Sequence, residues 1–186
     1  MLDDDYISRA IEACQSGGVI AYPTESVFGL GCLPKYEHSV TKILELKKRS
    51  VGKGLICVAA DQSQLVDLVD FDALTDANEV LATWPGPTTW LIPTKKTTPR
   101  WLTGTHDTLA VRVSAYPVVQ QLCEVLGPLV STSANPQNLP PAYDSDQVSK
   151  YFLDQLDYIY PASLPLENTP TEIRHGLTGE IIRISK

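Results

Sequence analysis

The chain lacks any apolar run approaching the roughly 18 residues that a membrane-crossing helix needs. Its acidic start, residues 1–6, lacks the basic-then-apolar order of a secretory signal. Both absences predict a cytoplasmic protein with no membrane contact. Paired cysteine spacing is missing as well. Cys14, Cys32, Cys57 and Cys123 are scattered without a C-x-x-C, and His38, His106 and His175 are equally dispersed. No zinc-like spacing arises, so no built-in metal site is expected. Cys57 and Cys123 sit in apolar segments, where a free thiol acts as a small hydrophobe, so the cysteines read as reduced and structural. A G-x-x-x-x-G-K-[ST] run is absent, which excludes a Walker loop. Gly29-Leu30-Gly31 lacks the third glycine of a dinucleotide fingerprint. No G-x-S-x-G nucleophile elbow occurs. Broad positive charge is missing too. The net charge of −7 argues against nucleic-acid binding through a generally basic surface.

What is present fits one globular α/β domain. With 186 residues, 43% hydrophobic and 20% charged, the chain can bury a sizeable core as a single domain over 1–186. Helical and strand patterns alternate throughout. Helices are expected over residues 5–16, ended by Gly17-Gly18, and over 37–48, 75–83, 117–126 and 145–156. Asp61, with Gln64 three residues on, predicts a capping box opening a helix to about Val69. Strands are expected at 19–22, 55–59, 88–92, 109–114, 129–132, 158–160 and 180–184. Proline-bearing segments at 93–101, 136–141 and 161–170 read as loops. The strands are short, and some are joined without room for a crossover helix, so the sheet should be mixed.

Four segments could carry chemistry, and each has an ordinary explanation beside it. Tyr22-Pro23-Thr24-Glu25-Ser26 follows a strand that Pro23 stops. Strand ends are where ligands bind in open α/β sheets, yet the run could be a plain polar turn. Residues 41–54 hold Lys42, Lys47, Lys48, Arg49 and Lys53 against Glu45 alone, a local basic patch suited to a small anion. Lys47 continues the apolar stripe of Tyr36, Val40, Ile43 and Leu44. It must snorkel, pair or meet a ligand, or it serves the helix dipole. Arg49 follows in the turn, where its planar fork could grip a phosphate or carboxylate. On the strand 109–114, Arg112 shares a face with Ala110 and Ser114, opposite Leu109, Val111 and Val113. It needs an open face, an anion or a salt bridge. Thr108 precedes it. Ser131-Thr132-Ser133-Ala134-Asn135 supplies hydroxyls, an amide and backbone N–H groups, enough to cradle phosphate or to make a polar loop. Trp84-Pro85-Gly86-Pro87 reads as a rigid turn.

Taken in order, these segments resemble the YrdC-like family of threonylcarbamoyl-AMP synthases. The resemblance rests on V-I-A-Y-P-T-E-S-V-F-G-L-G at 19–31, L-K-K-R at 46–49 with Lys53, W-P-G-P at 84–87, L-A-V-R-V at 109–113 and S-T-S-A-N at 131–135. The Pro170-Thr171-Glu172-Ile173-Arg174 run and the last strand also fit. The matches keep the family's order over nearly the whole chain.

The resemblance implies a three-layer α/β domain, with a twisted mixed sheet flanked by helices around a concave, positively charged cavity. It implies ATP, L-threonine and bicarbonate or CO2 as substrates, with Mg2+ and with pyrophosphate as a product. By position, Thr24 and Arg112 would bind threonine, helped by Ser131 and Thr171. Lys47 and Arg49 would be catalytic and, with Lys53, would hold the ATP phosphates. Thr108, Ser133, Asn135 and Arg183 would be further nucleotide contacts. It implies N-carboxythreonine attacking the α-phosphorus, with the product passed to a transferase complex that modifies adenosine 37 of tRNA. A proline commonly follows the family's K-x-R; Ser50 stands here, so that turn should be less fixed. Two other readings stay open: a non-catalytic RNA-binding module, against which the −7 charge counts, and carbamoyl transfer to another acceptor.

Overall fold

The computed structural model describes residues 4–162 and 171–184. Its elements in chain order are α1 (Asp4–Gln15), β1 (Ile20–Pro23), β2 (Phe28–Cys32), α2 (Glu37–Leu46), β3 (Ile56–Ala59), α3 (Ala77–Ala82), β4 (Thr88–Pro93), α4 (Arg100–Thr103), β5 (Thr108–Val113), α5 (Pro117–Leu126), β6 (Leu129–Ser133), α6 (Ser145–Phe152), β7 (Tyr158–Ile159), β8 (Glu172–His175) and β9 (Ile181–Arg183). Among these residues the strands form one sheet in the order β7-β1-β2-β6-β3-β5-β4-β8-β9. Three parallel pairs (β1 with β7, β3 with β5, β4 with β8) stand among antiparallel ones, so the sheet is mixed as expected.

Strand alternation separates two cores. Ala21, Phe28, Leu30, Cys57, Trp90, Val111 and Val130 point to one face, where Val40 and Ile43 of α2 and Val148 and Phe152 of α6 cover them. Ile20, Tyr22, Val58 and Leu129 point to the other, under Ile7, Ala10 and Cys14 of α1 and Val119, Leu122 and Cys123 of α5. Among the described residues, helices thus lie on both faces. All four cysteines are buried free thiols, which matches their structural reading. Burial pushes Cys14, Cys57 and Cys123 up to about 12, far from the thiolate range a reactive cysteine needs.

Several expectations are corrected. Residues 61–69 form no α-helix. Asp61 caps a 3-10 turn over Gln62–Leu65 by accepting from Ser63 N, and Gln64 bonds Ala60 N and Cys123 O rather than closing a capping box. The apolar spacing there is real, since Leu65 and Val69 are buried. The chain cannot coil further because Val69 bridges Thr94 and Asp70 N donates to Pro93 O, which ties it to the end of β4. The helix expected at 75–83 shrinks to α3, capped by Asp76. That expected at 145–156 becomes α6 followed by a 3-10 turn. The segment 93–101 runs into α4, and β2 and β8 are strands the periodicity did not signal. From residue 163 on, the loop expected at 161–170 lies outside the described residues, as does Pro170.

The end of α2 sets up the site. Arg49 N donates to Leu44 O and Lys48 N to Glu45 O, the paired bonds of a Schellman stop. The left-handed position of that motif is Lys48, with φ 50°. A side chain there costs about 1 kcal/mol relative to glycine. Lys48 is exposed. Lys48→Gly should therefore raise stability by up to about 1 kcal/mol in urea unfolding and leave activity unchanged.

Candidate functional site

The helices α1 and α5 cover only part of their face of the sheet. Beyond them the strands are bare and floor a cavity of about 610 Å³, within the range of small-molecule sites. One row of paired residues crosses the floor: Ser131 beside Ile56, Ile56 beside Ala110, Ala110 beside Leu91. Small residues at Gly29, Ala110 and Ser131 leave the volume open. The charged groups on the wall are Arg49, Lys53, Arg112 and Arg183, with the imidazole of His106. No carboxylate lines the cavity among the described residues, so its fixed charge favours an anion.

Of the residues singled out from the sequence, Thr24, Arg49, Lys53, Thr108, Arg112, Ser131, Ser133, Thr171 and Arg183 line this one cavity. They come from six separate stretches of chain. Lys47 and Asn135 stand behind Ser133 rather than on the wall. The Lys47 ammonium, 7% exposed, donates to Ser133 O, to Asn135 O at 3.0 Å and to Asn135 Oδ1 at 3.1 Å. Ser133 Oγ in turn donates to Asn135 Oδ1 at 2.6 Å. Lys47 therefore ties the end of α2 to the end of β6. Burial, with the Arg49 charge adding, pulls its amine down to about 8. The Arg49 Nη2 donates to Gly54 O at 3.0 Å, its Nε is buried without a partner, and burial lowers its pKa. Ser50 does the work expected of proline. Its φ of −59° is proline's, and its hydroxyl caps the 3-10 turn Val51–Lys53 by accepting from Gly52 N.

Arg112 is 5% exposed. It resolves the choice the strand left open by forming a salt bridge while lining the cavity. Nη2 meets Glu25 Oε2 at 3.4 Å, and Nη1 donates to Thr171 Oγ1 at 3.0 Å and Thr89 Oγ1 at 3.3 Å. Nε is buried with no protein partner. Ser114 Oγ holds the other oxygen of Glu25. Arg183 donates to Thr171 O at 2.7 Å and to Thr171 Oγ1 at 3.3 Å, so two guanidiniums converge on one threonine. Burial and the Arg112 charge lower Arg183's pKa. Of the two arginines only Arg112 has a described carboxylate partner, Glu25, and the excess positive charge favours an anionic ligand. Thr24 Oγ1 donates to Val27 O at 2.7 Å, which pins the turn after β1.

Sequence reasoning did not select Gly29, Thr103 or His106 for this wall. The glycine had a signal, since Gly29-Leu30-Gly31 stands inside an otherwise bulky run. Thr103 and His106 had none, because they lie between the loop expected at 93–101 and the strand expected at 109–114. No group of three or more His, Cys, Asp or Glu side chains that could cage a metal occurs among the described residues. No helix among them is long and apolar enough to cross a membrane.

Comparison with known proteins follows this geometry. The family model Sua5/YciO/YrdC, described as "Telomere recombination", matches residues 12–185. A threonylcarbamoyl-AMP synthase of Pseudoalteromonas atlantica is 50% identical, over 90% of this chain and 91% of its own length. One from Xanthomonas euvesicatoria is 47% identical over 98% of this chain and all of its own. Among solved structures, P. abyssi Sua5 complexed with L-threonine superposes with a TM-score of 0.89 at 28% identity. That match covers 100% of this chain and 55% of the P. abyssi chain, so this chain spans about half the length of that protein. E. coli YciO matches with a TM-score of 0.85 at 26% identity, covering 100% of this chain and 91% of its own.

Proposed function

We infer the function from a chain that belongs to the Sua5/YciO/YrdC family. It is an ATP-using enzyme that makes threonylcarbamoyl-AMP from L-threonine. The observation that carries this is the convergence of Arg112, Arg183, Arg49 and Lys53 with several hydroxyls on one cavity that no carboxylate lines among the described residues. Such a wall suits a substrate pair that is anionic at both ends.

Our finer reading assigns the ends. Threonine's carboxylate lies against Arg112, beside Thr24, Ser131 and Thr171. The triphosphate lies along Arg49 and Lys53, with Ser133, Asn135 and Lys47 behind it and Thr108 and Arg183 toward the nucleoside. Mg2+ enters bound to ATP, because its preference for phosphate oxygens and retained waters needs no protein cage. Threonine's amine takes up CO2 supplied by bicarbonate, forming a new N–C bond and releasing a proton. The resulting carboxylate attacks the α-phosphorus, and the bond to the β-phosphate oxygen breaks to release pyrophosphate. The residues position the two reactants and stabilise charge. No side-chain nucleophile is needed. Lys47 and Arg49 offset the charge that develops on pyrophosphate. The product is labile, which favours hand-off to a transferase complex acting on adenosine 37 of tRNA in the cytoplasm. The reading of 1–186 as one domain is supported by a family match that runs from 12 to 185.

Pyrophosphate release by the purified protein with Mg-ATP tests this reading. Release that requires both L-threonine and bicarbonate is the expected result. Salt-sensitive RNA binding with no such release would replace it with the binding-module alternative.

A further inference from the structure

We propose that Gly104 is a positioning residue, whose bare backbone sets where Arg49 and Lys53 stand and so how tightly the phosphate end of ATP is held. The proposal rests on the reading above that these two cations take the triphosphate. Both depend on one short run of backbone. Lys53 ends the 3-10 turn Val51–Lys53, and the Arg49 guanidinium donates to Gly54 O at 3.0 Å. That run meets residues 102–105 backbone to backbone. Leu55 N donates to Leu102 O at 2.9 Å, and Gly52 O accepts from Thr105 N at 3.3 Å and from Thr105 Oγ1 at 3.1 Å.

Gly104 sits in that contact. A Cβ there would lie 2.5 Å from Val51 O and 2.6 Å from Gly52 O. Both are main-chain atoms of the turn that carries Lys53, so no side-chain rotation relieves the clash. The turn would have to retreat by about 0.5 Å or more to restore even a 3.0 Å contact. Conformation makes the same demand. With φ 62° and ψ −123°, Gly104 has the angles of the first central residue of a II′ turn, closed by His106 N donating to Thr103 O at 3.2 Å. Thr103 and His106 line the cavity, but Gly104 does not. Its influence on ATP passes through the turn it holds, with no contact of its own.

Pyrophosphate, the product that occupies the phosphate end, is the probe. A misplacement of 1 Å costs about 10²-fold, so half that shift in Gly104→Ala should weaken pyrophosphate inhibition about tenfold. The KM for ATP should rise with it. The KM for threonine should hold, because Arg112 and Thr24 stand on other elements. Backbone strain has its own control. Gly127 also has a positive φ, 78°, but a Cβ there meets nothing within 4 Å, and it lies off the cavity wall. Gly127→Ala should lose stability in urea unfolding and keep wild-type pyrophosphate inhibition. Three results overturn the proposal: unmoved inhibition in folded Gly104→Ala, an equal rise in the KM for threonine, or the same weakening in Gly127→Ala. Should Gly104→Ala fail to fold, Thr105 decides. Thr105→Val removes one bond to Gly52 O and should weaken pyrophosphate inhibition about two- to fivefold, with Thr105→Ser restoring it. No change in Thr105→Val then overturns the idea. Wild-type protein that releases no pyrophosphate with threonine and bicarbonate would instead refute the functional reading. Active wild type with unmoved inhibition in the variants refutes this inference alone.

Discussion

Arg112→Ala should lower kcat/KM for threonine by roughly 10²–10⁴-fold while leaving ATP binding nearly unchanged. Two charge-assisted bonds to a carboxylate are at stake, each worth about 1.5–3 kcal/mol. The truncation also leaves the Glu25 carboxylate, 17% exposed, without its cation and with only Ser114 for company. That unpaired charge would repel the substrate carboxylate and would destabilise the fold by up to about 3–5 kcal/mol. The two effects separate in a double variant. Adding Glu25→Gln to Arg112→Ala removes the orphaned charge and should restore much of the stability in urea unfolding, but none of the threonine binding. Arg112→Lys should not rescue activity either. Lysine lacks the planar fork that reaches Thr171 and Thr89 with one nitrogen and Glu25 with the other. Near-normal threonine kinetics in Arg112→Ala would remove this residue from the site.

Arg112 also shows how far the sequence could be read. Alternation placed it on the face opposite Leu109, Val111 and Val113, and those three are buried in the core while Arg112 lines the cavity. Which partner it took was not legible. Glu25 is 87 residues away, and only the fold brings the turn after β1 against the end of β5. The strand β2 was hidden for a related reason. Phe28-Gly29-Leu30-Gly31-Cys32 looks like a turn because glycine weakens a strand. The glycines are there for tertiary reasons. A Cβ at Gly31 would come within 2.6 Å of the Tyr22 ring and 2.8 Å of Val130 O. The strand β8, Glu-Ile-Arg-His, carries little hydrophobic signal and is a strand because it pairs with β4. Lys47 was legible as a cation on a core-facing stripe, but its destination was not. The sequence left snorkelling, a partner, a ligand or the helix dipole open, and the structure gives it partners at and just after the end of β6.

That placement changes what Lys47 should do when removed. An ammonium on an open wall could be deleted with the fold intact. This one satisfies Ser133 O, Asn135 O and Asn135 Oδ1, and a buried acceptor left without a partner costs about 1–3 kcal/mol. Lys47→Met, which keeps the stem, should therefore lose stability of that order. Turnover should also drop by about 10²–10³-fold, the usual cost of a lost charge-stabilising donor. Arg49→Ala should lower turnover with less effect on the fold, since its one described bond is to Gly54 O. The pH dependence separates charge from scaffold. Lys47 titrates near about 8 in the folded protein, lowered by burial and by Arg49, against the ordinary 10.5. Between those values the unfolded chain holds the proton that the folded one has released. Stability from this group therefore rises from pH 8 toward 10.5 and is lost as pH falls through about 8. Catalysis that needs the ammonium runs the other way and should decline as pH passes about 8. Wild-type turnover falling while its Lys47-dependent stability climbs, with a flat profile over the same range in Lys47→Met, is the expected pattern. A wild-type profile that stays level from pH 7 to 10 would leave Lys47 as a scaffold for Ser133 and Asn135 and move the charge-stabilising role to Arg49 and Lys53.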